Sequence, residues 1–311
     1  MPVSMTRQLW LTTPMMRGDD VLAVQRRLAE LGAALTQDGL LGAGTRDAVQ
    51  RFQANAHLID DGVVGPLTWE ALFGQSDPAR VVREAPKDLL APETVHRLSE
   101  VHGHFKDGCT WRVTPNGVDI TGSGIEAPSE ADGRLVRDVL ARFRDPLLAA
   151  IARNPVPIEN ALACICTESS GNPAPLRREP GCNLKDPTLT PSRCSQGLMQ
   201  TLLSTARAAL HNPALPLEEL ERPEVSIMAG TAYMAQQGVQ TRHDPPLAAA
   251  AYNAGSLRYD STPANRWRLI QYPIGTSRHV DRFVRFFNAA VSAVDEAGVP
   301  NNVPSLRRLL R

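Results

Sequence analysis

Two stretches of this chain repeat one another: Asp38 to Ala48 reads DGLLGAGTRDA, and Asp61 to Leu72 reads DGVVGPLTWEAL, at an offset of 23 residues. Each copy places Asp-Gly at a tight turn, then two apolar residues, a second Gly, and a Thr (Thr45, Thr68) positioned to cap a helix. A turn feeding a helix, used twice, restricts this part of the chain to a small helical unit. Before the first copy, Val21, Val24, Leu28 and Leu31 recur at helical spacing, and Ala48, Val49 and Phe52 do so from its last residue onward. The pattern predicts three short helices over about Pro14 to Phe73, a unit small enough to be marginal on its own.

Charge restricts what such a unit can bind. GTRDAVQRFQ could pass for a DNA-recognition helix, but residues 1–75 carry six Arg and no Lys against eight acids. A net negative surface is wrong for phosphate binding. Over the whole chain Lys+Arg and Asp+Glu balance at 33 each, so no global field draws it to nucleic acid. Taken together, GDDVLAVQRRLAELG, DGLLGAGTRDAVQRFQ and DGVVGPLTWEAL resemble the peptidoglycan-binding domain found on many phage endolysins and bacterial wall hydrolases. The resemblance implies a wall-binding domain over residues 1–76.

The chain is 311 residues long and 42% apolar, enough for one large core and a small satellite. Composition turns to Asp, Pro, Arg and Ala after Gln75, which marks a linker over 77–94 and leaves 95–311 as the second domain. The first twenty residues lack the apolar core of a secretory signal, and no stretch has the length of a membrane span, so synthesis in the cytoplasm is expected. Five cysteines are too few for a disulfide scaffold and suit a reducing compartment. CTWRVTPNGVDITGSG, from Cys109, mixes β-formers with Pro-Asn-Gly and predicts a hairpin. Leu135, Val136, Val139, Leu140, Phe143, Leu147 and Ile151 then keep helical spacing across Asp145-Pro146, where a kink or break is expected. His96, His102 and His104 show no metal-ligand pattern and are expected to be solvated.

The chemistry is expected in IENALACICTESSGNP. Ile158, Ala161, Leu162 and Ile165 form one apolar stripe, which buries the helix. Continued at about 100° per residue, Glu168 falls beside that stripe, just before Gly171 and Asn172-Pro173 end the helix. A carboxyl at the edge of a core holds its proton to higher pH, as a general acid near neutrality requires. A solvated helix-end Glu is the plain alternative for a residue taken alone. Three further motifs follow: GLMQ at Gly197 to Gln200, AYNAG at Ala251 to Gly255, and GTSRHVDRFVRFF from Gly275 to Phe287.

In that order and rough spacing, the four motifs resemble those of the family-one lytic transglycosylases, relatives of goose-type lysozyme, over most of 130–290. The resemblance implies that Glu168 is the sole catalytic acid and base and that Ser169 orients the carboxylate or a sugar amide. It also implies that Met199 and Gln200 line a sugar cleft, and that Tyr252 and Asn253 close the site around the acid. The implied reaction cleaves the bond between N-acetylmuramic acid and N-acetylglucosamine and leaves a 1,6-anhydro ring, with no metal or cofactor. The expected fold class is mainly α: a three-helix peptidoglycan-binding module linked to a lysozyme-like, mostly helical catalytic domain with a short β-hairpin.

The segment between the Glu and GLMQ departs from the family by its length. It carries Glu179 and Asp186, either of which could activate water and make the reaction hydrolytic, although a solvated loop is the simpler reading. Cys182 and Cys194 bound it and could pair in an oxidising compartment, while thiols are expected throughout. Cys164 and Cys166 are too close in sequence for a four-cysteine zinc site. The basic tail VPSLRRLLR is suited at most to a weak membrane contact, a solvated helix end being the simpler reading. Nothing suggests coiled-coil association, so a monomer is expected. The whole resembles a modular endolysin that acts in the periplasm after release from the host cytoplasm; a non-catalytic wall-binding or phage structural protein is the contrasting reading.

Overall fold

A computed structural model describes residues 7, 9–12, 14–56, 62–73 and 89–311. The chain divides into two compact units. The first contains the N-terminal helices with the segments Pro180–Cys194 and Leu202–Leu215; the second contains the rest of the chain from Arg83.

In the first unit, helices α1 (Asp19–Glu30), α2 (Ala43–Asn55) and α3 (Pro66–Phe73) enclose a core of Leu9, Val21, Val24, Leu28, Leu41, Ala48, Val49, Val64, Trp69 and Leu72. Three helices form where the apolar spacing predicts them. Leu31 lies past the last turn of α1, at its C-cap, and is 50% exposed, so it does not continue the buried stripe. Gly39 and Gly62 take the positive φ (73° and 74°) that the two Asp-Gly turns require.

The threonines do something other than capping. Thr45 and Thr68 lie inside α2 and α3, and each hydroxyl accepts a hydrogen bond from a buried glutamine amide, Gln25 Nε2 and Gln53 Nε2 respectively, at 3.0 Å. The same two glutamines accept, through Oε1, the N–H of Gly39 (2.7 Å) and of Gly62 (2.8 Å). One buried amide thus satisfies both sides of each turn. Because Gln25 and Gln53 stand at different distances from their turns, this device is not part of the linear repeat.

In the second unit, α4 (Pro92–Ser99) begins within the segment expected to be a linker, most of which lies outside the described residues. The antiparallel strands β1 (Trp111–Thr114), β2 (Gly117–Ile120) and β3 (Gly124–Ile125) form the expected hairpin, with Thr114 paired to Gly117 around Pro115-Asn116. His102 is not solvated: its Nε2 lies 2.7 Å from buried Asp244, which also accepts from Trp111 Nε1. Helix α5 (Glu130–Arg142) opens with a Ser129/Asp132 capping box, and α6 (Arg144–Arg153) follows at once. The break falls at Phe143, just ahead of the expected dipeptide, which leaves Pro146 in the first turn of α6, where its missing N–H costs nothing.

Helix α7 (Ile158–Ser169) is buried along its length from Ile158 to Thr167. Short strands β4 (Leu176–Arg178), β5 (Cys194–Gln196) and β6 (Thr201–Leu202) follow in a second three-stranded sheet, and then comes α8 (Leu203–Ala209). Around α7 pack α5, α6, α10 (Pro245–Ala254) and the long amphipathic α11 (Arg278–Glu296), while α9 (Pro223–Thr241) packs on α6 and α10. The five cysteines form no disulfide. Among the described residues no helix is long and apolar enough to cross a membrane.

The basic tail is tied down instead of solvated. Buried Glu159 accepts from Ser305 Oγ, from Leu306 N (3.1 Å) and from Arg307 N (3.3 Å), at the start of α12 (Leu306–Leu309). Leu306 is fully buried, and Arg307 and Arg308 donate to backbone carbonyls.

Candidate active site

Helix α7 ends at Ser170, which takes a left-handed conformation (φ 53°). Arg282 of α11 closes that end, donating through Nη2 to Cys166 O (3.1 Å) and Ser170 Oγ (2.8 Å). A cation at the negative end of a helix is favourable as well as geometrically useful. Glu168 stands in the last turn with its side chain only 6% exposed. Burial drives its carboxyl up to about 7 despite the guanidiniums of Arg177 and Arg282, with a smaller push from Glu179. Desolvation therefore wins over two cations, and the site holds a carboxylic acid near neutral pH.

Arg177 Nη1 lies 3.7 Å from Glu168 Oε2, and His279 Nε2 lies 3.6 Å from Oε1. The tautomer of His279 follows from its neighbours. Asn253 Oδ1 accepts the Tyr272 backbone N–H at 2.6 Å, which turns Asn253 Nδ2 toward His279 Nδ1, 3.4 Å away. Nδ1 is then the acceptor, and the ring proton sits on Nε2, facing Glu168. Burial, helped by Arg177 and Arg282, holds His279 down to about 4, so it is neutral beside the acid.

The four motifs meet at α7, though not always through the atoms expected. Ser169 Oγ is engaged by backbone, donating to Leu198 O (2.7 Å) and lying 3.1 Å from Ile165 O, and so fastens the helix end to the GLMQ turn. Met199 is completely buried, and a Cβ on Gly230 would lie 2.4 Å from its sulfur, so its side chain is core and not cleft lining. Gln200 is also buried, and its amide is occupied internally: Nε2 donates to Pro175 O (2.8 Å) and Gly197 O (2.9 Å), and Oε1 accepts from Ser195. Tyr252 donates its hydroxyl to Met199 O (2.9 Å) and shares a hydrogen bond with Thr201 Oγ1. Burial holds this phenol well above its ordinary range, so it is a neutral strut.

Sequence reasoning thus names Glu168 and the residues that frame it, and misses the three basic side chains that surround it. His279 and Arg282 lie within the quoted GTSRHVDRFVRFF, three positions apart and so on one face of α11, a spacing that could have marked them. Arg177 lies on β4, where nothing in the sequence distinguishes it.

Residues 17–72 match the putative peptidoglycan binding domain, and residues 145–269 match the transglycosylase SLT domain. An uncharacterized protein from Kitasatospora aureofaciens is 46% identical over 63 residues, which are 19% of this chain and 52% of that protein. The chain thus spans about half the length of that relative. Among solved structures, an inactive mutant of the lytic transglycosylase Slt from Pseudomonas aeruginosa shares 21% identity over 54% of this chain and 27% of its own, with a TM-score of 0.37. A Burkholderia AP3 phage endolysin shares 21% identity over 92% of this chain and all of its own, with a TM-score of 0.27. The chain therefore carries one stretch that matches the putative peptidoglycan binding domain, residues 17–72, and a second that matches the transglycosylase SLT domain, residues 145–269.

Proposed function

We propose that this chain is a peptidoglycan-cleaving lytic enzyme in which the N-terminal segment holds the wall and Glu168 is the single acid and base. The observation that carries the reading is one buried carboxyl, held up to about 7, at the meeting point of four motif segments. A catalytic acid should keep its proton at working pH and release it readily, and a value near neutrality serves both needs.

In the proposed reaction Glu168 protonates the oxygen that bridges N-acetylmuramic acid and N-acetylglucosamine. The C1–O bond breaks, and its electron pair leaves with that oxygen. The 2-acetamido group supports the positive charge at C1, so no second carboxylate is needed. The muramoyl C6 oxygen then attacks C1 while Glu168 takes its proton, which closes the 1,6-anhydro ring and restores the acid. Between the two steps Glu168 is an anion, and the His279 Nε2–H and the two arginines face it. Ser169, Met199, Gln200, Tyr252 and Asn253 serve by holding the frame, Asn253 through His279.

A second reading, hydrolysis by water, draws on Glu179, whose charge reaches Glu168. Asp186 supports it less, because its carboxylate caps Thr188, accepting from the backbone N at 3.0 Å. As a phage-type endolysin, the chain would be made in the host cytoplasm and act in the periplasm as a monomer after release. Glu168→Gln should lower clearing of purified peptidoglycan by at least about a hundredfold. Mass spectrometry of the released muropeptides should find anhydro ends; reducing ends in their place would establish the hydrolytic reading.

A further inference from the structure

Two guanidinium groups stand beside Glu168; they favour the anion formed once the proton is given, but they work against holding that proton beforehand and against the positive charge at C1. A cation near a carboxyl eases loss of its proton, and a cation near C1 disfavours the positive charge that develops there. Arg282 has a structural reason to be present, since it caps α7 and lies over the ring of Phe286. Arg177 has none. Its side chain is 50% exposed, and its one ion pair among the described residues is the 3.7 Å approach to Glu168, longer than a hydrogen bond. A planar, half-exposed fork with open donors beside a reaction centre suits a carboxylate of the substrate. Peptidoglycan strands carry such groups on their peptide stems or, where the stem is missing, on the lactyl arm of muramic acid.

We propose that Arg177 binds a carboxylate borne by muramic acid, so that the site selects charged wall strands over neutralised ones. This rests on Glu168 being the acid. A consequence follows for the proton. Glu168 is faced by Arg177 and Glu179 from the segment after α7, by Arg282 and His279 from α11, by Tyr252 from α10, and by Cys164 from its own helix. His279 and Tyr252 are neutral and Arg282 is fixed in place, which leaves Arg177 as the cation free to turn. Drawn to the substrate, it ceases to favour the Glu168 anion, and the acid keeps its proton to higher pH.

The test compares full-length protein on purified peptidoglycan before and after carbodiimide amidation of its carboxylates. Wild type should show kcat/KM about tenfold higher on the untreated wall. Arg177→Gln should lose that preference, and Arg177→Lys should keep part of it. Arg177→Gln should also retain activity to higher pH on the amidated wall, a change that a merely structural residue would not produce. An Arg177→Gln variant that discriminates as wild type does overturns the proposal. Amidase-stripped strands identify the source: preference retained there assigns the lactyl carboxylate, and preference lost assigns the stem. Should wild type cleave neither wall, the Glu168 reading fails by itself. Arg177 is then judged by the affinity of Glu168→Gln protein for muramoyl dipeptide, which Arg177→Gln must weaken if the proposal holds.

Discussion

At the scale of single residues, the fold disfavours the charged form of Glu168 and holds the side chain as a neutral acid. Raising a carboxyl from 4.5 to about 7 corresponds to roughly 3 kcal/mol between its two forms. The folded value lies above the unfolded one, so the associated stability is complete below about 4.5 and is lost as pH rises through about 7. Glu168→Gln, which cannot ionise, should therefore nearly match wild type in urea unfolding at pH 4.5 and exceed it by about 3 kcal/mol at pH 8. Equal stabilities at both pH values would mean that the carboxyl is not desolvated. Activity should fall as pH rises through about 7, when the acid is lost. How far this was legible varies by residue. An apolar stripe and a helix stop signal suffice to put Glu168 at a core edge. His279 and Arg177 reach it only through folding, and the burial of Met199 was not legible because a methionine's sequence context does not say whether its face is cleft or core.

Among the elements, the GLMQ turn holds the site together, since Ser169 bonds to Leu198 O and Tyr252 to Met199 O. The turn depends on Gly197, which has φ 86° and whose added Cβ would lie 1.8 Å from Leu220 O. Backbone cannot yield as a flexible side chain can. Gly197→Ala should cost at least about 3 kcal/mol by denaturant midpoint, and activity should fall with it. Gly122→Ala is the control, because that residue shares the positive φ (82°) but has nothing within 4 Å, so strain alone should cost about 1–2 kcal/mol. If the two variants were equally stable, the close approach to Leu220 would not matter. Helices and the hairpin were readable because periodicity and turn residues are local signals. The docking of α12 on Glu159 was not, since a buried glutamate 146 residues from its partner serine leaves no linear trace.

For the whole molecule, the question is whether the two proposed tasks, holding the wall and cutting it, are separable, as matches to two families in separate stretches of the chain imply. Glu168 and every side chain facing it lie outside the N-terminal unit, whose own core is complete without them. In that unit, Gln25 and Gln53 each carry a turn on one buried amide, and truncating either leaves the N–H of Gly39 or Gly62 without its acceptor, at about 1–3 kcal/mol each. The double variant Gln25→Ala/Gln53→Ala, made in the full chain, should therefore loosen the wall-holding unit and reduce co-sedimentation with peptidoglycan. Tethering raises effective concentration only at the insoluble polymer, so clearing of intact wall should slow by about tenfold or more while cleavage of short soluble strands changes little. Glu168→Gln should give the opposite result, with sedimentation intact and cleavage of both substrates lost. Equal losses on wall and soluble strands in the double variant would show instead that the N-terminal unit takes part in the cutting step and is not only an anchor.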